Sequence, residues 1–129
     1  GGSCFQKDIL NLVYIARQYK LNEVAEYWEN VIKINSYQTS RIADEIINVI
    51  NKEEKKNITI LGWSFKKNTN DSRESASIYI ADMLIDEEAL ISVYDPKVSS
   101  KQIYLDLNNL NFNAMLFFMG MYIFNNAPR

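Results

Sequence analysis

The sequence has no histidine, one cysteine, four glycines and two prolines among its 129 residues. Without histidine, a Ser-His-Asp triad is excluded, and with one cysteine so is a zinc site rich in His and Cys; no metal is expected. A single thiol cannot close an internal disulfide, so the cysteine count gives no reason to expect an oxidising compartment. The formal net charge of -2 provides no basic face for phosphate backbones, and nucleic acid is not an expected partner. The most apolar stretch, Ala114 to Phe124, has 11 residues, against the roughly 20 that span a bilayer, so no membrane partner is expected. The N-terminus lacks a charged lead followed by an apolar run, so it does not read as a secretory leader. A cytoplasmic location is the expectation. The chain opens on Gly1 rather than Met, which is consistent with a start lying upstream.

Hydrophobic residues make up 47% of the chain, enough to build a core. From Ser3 to Leu61 there is neither glycine nor proline, and the helices are expected there. The first spans about Phe5 to Tyr19, with Ile9, Leu12, Val13 and Ala16 at helical spacing. Asn22 can cap a second helix, whose stripe contains Val24, Tyr27, Trp28, Val31, Ile42, Ile46, Val49 and Ile50. The polar stretch Asn35–Ser40 interrupts that stripe. One helix of roughly 40 Å, kinked at the interruption, is expected, with two shorter helices as the alternative. After Lys56 the pattern changes. Ile58–Leu61 is a β-branched run ending at Gly62, and a polar loop, Lys66 to Arg73, follows. Asp71 or Ser72 can cap a helix from about Glu74 to Asp86, and Leu90–Tyr94 is a second strand closed by Asp95-Pro96. Strand, helix and strand form a βαβ unit. Two strands do not make a stable sheet, so the unit reads as cut short. Ala114–Phe124 fits either a buried strand or helix, or a tail of misread coding sequence.

The expected fold class is therefore α/β: a helical central segment with a long helix, followed by a truncated Rossmann-like βαβ unit. The expected divisions are 1–53, 54–108 and an apolar tail, 109–129.

Two places can carry chemistry. Cys4 stands at the head of the first helix, where the partial positive charge of the helix N-terminus stabilises a thiolate. Lys7 and Asp8 follow at i+3 and i+4 on the same face. This combination suits a covalent site, and it equally suits an incidental thiol. The second place is the loop Trp63–Glu74, between the end of a strand and the start of a helix, where ligands bind in α/β sheets. Lys66, Lys67 and Arg73 can meet phosphate there; a solvated charged loop is the other reading. With one glycine in this region, the GxGxxG fingerprint is absent. Asp95 stands where a Rossmann domain often keeps its ribose-binding acid, and it also reads as the opening of a turn with Pro96.

Four segments together resemble the UDP-glucose 6-dehydrogenases of the UDP-glucose/GDP-mannose dehydrogenase family, eukaryotic type. GGSCFQKDILNLVY is similar to the family's cysteine helix and EVAEYWENVIKINSYQ to its central helix. ITILGWSFKKNTNDSRESASIYIADML and ISVYDPKV are similar to the start of its UDP-binding domain. The likeness covers about residues 1–108. Phe5-Gln6 stands where bacterial relatives and GDP-mannose enzymes usually have Leu-Pro, which favours UDP-glucose as substrate.

The resemblance implies an NAD-dependent oxidation of UDP-glucose to UDP-glucuronate in two steps, through a cysteine thiohemiacetal and thioester. It implies Cys4 as nucleophile and Asp8 as the acid that orients or activates water. Gly1, Phe65 and Lys66 are implied as substrate contacts. Cys4, Phe5, Gln6, Lys7 and Arg73 are implied as NAD contacts. A homo-oligomer through the central helix is implied as well. Some positions depart from the pattern: Asn68 stands for a usual Asp, Asn70 for a frequent Gly, and Glu88 for a turn glycine whose replacement strains the turn. The glycine-rich NAD domain has no counterpart in the chain. The alternative is a short, non-catalytic product that only pairs with full-length subunits.

Overall fold

Uninterrupted by glycine or proline, the first part of the chain folds into an antiparallel helical hairpin. The computed structural model describes residues 3–110 and 122–124. Helix α1 is Ser3–Gln18 and α2 is Asn22–Ile50. Ile9, Val13 and Ala16 of α1 are buried against Ala25 of α2, with Trp28, Val31 and Ile32 packed alongside. Arg17 pairs with Glu29 across the hairpin. The turn between the helices is a C-terminal cap of the left-handed type. Leu21 N donates to Ala16 O at 2.9 Å and Lys20 N to Arg17 O at 3.0 Å, with Lys20 at φ 60. Glycine usually fills this position, because a Cβ is crowded there.

α2 is a single helix of 29 residues, so the polar stretch Asn35–Ser40 does not break it. Asn22 is not its cap. Leu21 holds that position, no side chain caps the helix, and Asn22 is already helical.

Three strands and two helices follow: β1 (Asn57–Leu61), α3 (Ala76–Asp86), β2 (Leu90–Tyr94), α4 (Ser100–Leu110) and β3 (Tyr122–Phe124). The sheet is parallel in the order β1-β2-β3. Ile58 pairs with Ile91, Ile60 with Val93, and Ser92 with Tyr122. The expected βαβ unit is present and extends to βαβαβ. α4 was not foreseen, although Ile103, Leu107 and Leu110 stand at helical spacing; Ile103 and Leu107 are buried. It runs across the expected division at 108. Of the apolar run Ala114–Phe124, residues 114–121 lie outside the described residues, and its last three form β3.

α3 begins two residues later than expected. Ser75 holds the cap position in place of Asp71 or Ser72, because Asp71 is engaged with Arg73 and Glu74 sits at φ 56. α3 ends in a second left-handed cap. Ala89 N bonds Leu84 O and Glu88 N bonds Ile85 O, with Glu88 at φ 61; the strain expected of Glu88 is located in this turn. The sheet core comprises Trp63, Ile78, Leu84, Ile91, Val93 and Ile103, among others, and includes Ile50 at the end of α2. The long helix therefore takes part in both cores.

Candidate functional site

The carboxyl ends of β1 and β2 open onto one loop. β1 leaves the sheet at Gly62, whose φ of 99 disfavours any residue with a Cβ. Gly62 N donates to Tyr94 O at 2.8 Å, which carries the strand pairing one step further. The next residue, Trp63, is fully buried, and its indole N–H reaches Asp106 Oδ2 of α4 at 2.9 Å.

Asp95, just past β2, is 4% exposed. Its Oδ2 accepts from Trp63 N at 2.7 Å and Ser64 N at 3.1 Å. Its Oδ1 accepts from Lys97 N at 2.7 Å and Val98 N at 2.9 Å. Burial pushes this carboxyl upward, but the four N–H donors outweigh it and hold the group below its ordinary value.

Beyond Ser64 the loop closes on itself through Phe65 N to Asp71 O at 3.0 Å. Asn68 sits at φ 64, a conformation Asn tolerates better than most residues. Phe65 is half-buried and Lys66 exposed, with the ammonium 5.1 Å from the ring centre. Asp71 accepts from Arg73 three times: Nε at 2.9 Å, Nη2 at 2.7 Å and the backbone N at 3.1 Å. These bonds pull its carboxyl down to about 2 and hold the Arg73 guanidinium above its usual value.

The other half of the site is the head of α1. Cys4 is exposed, as are Phe5, Lys7 and Asp8, with Gln6 half-buried. Gly1 lies outside the described residues. Asp71 is the chief cause of the raised Arg73 value, and the charge of Cys4 adds to it least. Phe5 and Gln6 border a cavity of about 480 Å³ shared with α2 and α3. The polar stretch of α2 lines it through Asn35, Ser36, Thr39 and Ser40, so that stretch forms a wall of the cavity. The sequence carries this signal as a polar gap in an apolar stripe, whose use depends on the elements that face it. On the α3 side Tyr79 OH donates to Glu74 Oε2 at 2.6 Å. Burial, then Glu74, push the tyrosine up to about 12.

A dinucleotide does not fit this βαβ unit in the usual Rossmann manner. The β1–α3 turn has one glycine where a close approach to pyrophosphate needs several, and the acid at the end of β2 is already saturated by main-chain donors.

Residues 59–116 match the UDP-glucose/GDP-mannose dehydrogenase family, UDP binding domain. Over 110 residues the chain is 54% identical to the UDP-glucose 6-dehydrogenase of Gallus gallus, covering 84% of this chain and 22% of the relative. The chain is similar, over most of its length, to members of the UDP-glucose/GDP-mannose dehydrogenase family. It is likewise 52% identical to the UDP-glucose 6-dehydrogenase of Mus musculus over 88% of this chain and 23% of that protein. UDP-glucose 6-dehydrogenase 4 of Arabidopsis thaliana is 50% identical over 88% of this chain and 24% of its own length. The chain thus spans less than a quarter of these dehydrogenases. Its fold is similar to the 1.55 Å ternary-complex crystal structure of the GDP-mannose dehydrogenase from Pseudomonas aeruginosa. The TM-score is 0.62 at 25% identity, over 96% of this chain and 27% of that one.

Proposed function

We propose that the chain supplies the cysteine helix and the opening of the UDP-binding domain of a UDP-glucose 6-dehydrogenase. The observation that carries this reading is one cavity bordered by Phe5 and Gln6, beside the exposed Cys4, and by Glu74, beside Arg73 on the loop after β1, in a chain half identical to such dehydrogenases. In this reading the Cys4 thiolate adds to the C6 aldehyde of the nucleotide sugar, and the oxygen of the adduct takes up a proton. Loss of a hydride and a proton from that adduct leaves a thioester, which water later opens, returning the thiol and releasing UDP-glucuronate. Asp8, one turn along α1, orients that water. Phe65, Lys66 and Gly1 are the proposed contacts to the nucleotide sugar. NAD, when bound, would accept the hydride lost in forming the aldehyde and the one lost in forming the thioester; Arg73 and the Cys4–Lys7 turn would contribute to holding it, and the chain has no glycine-rich fingerprint for the rest of its site. A cytoplasmic location fits this chemistry.

The test is Cys4→Ser in the complete dehydrogenase. A hydroxyl without a strong base is a poor nucleophile at neutral pH, so UDP-glucuronate formation should fall by orders of magnitude with the fold intact. Near-normal turnover would refute the role of Cys4.

A homo-oligomer belongs to the same proposal. The hairpin exposes Leu10, Tyr14, Tyr27, Ile34 and Tyr37, a surface suited to association. It also keeps open the second reading, a chain that only pairs with full-length subunits. Sedimentation of a variant with Tyr27→Lys and Tyr37→Lys should show smaller assemblies, and an unchanged assembly would remove the hairpin from the interface.

A further inference from the structure

The Asp95 carboxylate bridges two loops that the sheet brings side by side. A carboxylate offers about four acceptor directions, and here four main-chain N–H groups are received, two from the start of the β1–α3 loop and two from the β2–α4 turn. In a Rossmann unit the acid at the end of the second strand reads the ribose hydroxyls of the ligand. Asp95 stands at that place but is 4% exposed and has no acceptor direction left for a ligand. It has been turned from ligand reading to main-chain bracing.

The backbone it fixes, Trp63–Ser64, runs directly into Phe65 and Lys66. Phe65 N is held in turn by Asp71 O. The segment therefore has a fixed point on each side: Asp95 at its root and Asp71 at its far end. We infer that Asp95 is a positioning residue for nucleotide-sugar binding, which acts by holding the main chain that presents Phe65 and Lys66. The inference rests on the function proposed above. It follows that this unit distinguishes its ligand through the loop after β1 and not through an acid at the end of β2.

The experiment compares Asp95→Asn with Asp106→Asn in the complete dehydrogenase. An asparagine keeps one oxygen and turns an N–H against the other pair of donors. Asp106→Asn alters the partner of the Trp63 indole and of the Gln102 side chain and leaves the 63–64 main chain braced by Asp95. For Asp95→Asn the amides of residues 63, 64, 97 and 98 should exchange about tenfold faster or more. KM for UDP-glucose should rise about tenfold, with kcat within about twofold. Asp106→Asn should leave KM near the parent value. A purely structural role would lower the concentration of active enzyme, and so apparent kcat, without moving KM. Asp95→Asn behaving that way, or leaving KM unchanged while the amides exchange faster, overturns the inference and leaves the proposed function standing. A parent enzyme that fails to bind UDP-glucose overturns both.

Discussion

The hairpin and the sheet unit use their apolar residues in opposite directions. The sheet unit encloses Trp63, Leu84, Ile91, Val93 and Ile103 almost completely, and its central strand is covered by α3 and α4 side chains. The hairpin buries Ile9, Val13, Ala16 and Ala25, two of them alanines that let the helices approach closely. It leaves Tyr14 at 62%, Tyr27 at 64% and Tyr37 at 63% exposed. One half, joined by the end of α2, encloses its large apolar side chains, while the other leaves many of them exposed. Apolar residues are therefore enclosed in one region and displayed in the other.

The largest expected effect strikes the sheet side. Trp63→Ala removes the largest enclosed side chain and the donor to Asp106, and should cost about 3–5 kcal/mol in urea unfolding. Hydrogen exchange of α1 should change much less than that of α3 and β2. Equal loss in both regions would mean that they form one cooperative unit, and the contrast would fail.

Acid should separate the regions next. Asp95 is held below its ordinary value in the folded state. Its contribution is therefore present above the unfolded carboxyl pKa of about 3.9 and is lost as pH falls through the lower folded value. Asp71, at about 2, follows the same sign in an exposed pair. In a Trp28→Phe variant, which leaves Trp63 of the sheet side as the reporter, tryptophan emission should change before hydrogen-exchange protection of α1 is lost as pH falls below about 4. Coincident transitions would show that the carboxylate brace does not set the acid limit of the sheet unit.

The smallest effect should be alike in the two halves. Lys20 and Glu88 occupy equivalent left-handed caps. Lys20→Gly and Glu88→Gly should each stabilise the chain by about 1 kcal/mol, because the αL conformation is costly for any residue with a Cβ. A loss of stability in either variant would show that the side chain makes a compensating contact.

Much of the architecture could be read from residue patterns. The stretch without glycine or proline announced the hairpin, and the β-branched run before Gly62 and the Leu90–Tyr94 run announced the first two strands. Glu88 stands out through the resemblance, which has a turn glycine there, and its φ of 61 lies in such a turn. The polar gap at Asn35–Ser40 shows in the sequence only as an interruption, because its meaning as a cavity wall depends on α1 and α3, which lie far off in sequence. The turn reading of Asp95 matches its bonds to Lys97 and Val98, whereas its bonds to Trp63 and Ser64 cross 31 or more residues and leave no local trace.

That shared helix sets a phase as well as a distance. Trp28, Val31 and Ile32 of α2 pack into the hairpin core, and Ile46, Ile47 and Ile50 into the sheet core. Between Ile32 and Ile46 the rod is about 21 Å long, and each residue contributes about 1.5 Å and 100°. One residue inserted in that span would leave the helix intact and both cores packed, yet turn one core by about 100° around the axis relative to the other. Phe5 and Gln6 on one side and Glu74 and Tyr79 on the other would then no longer face one cavity. That shared cavity is thus counted out in residues along α2, as teeth are counted between two gears on one shaft.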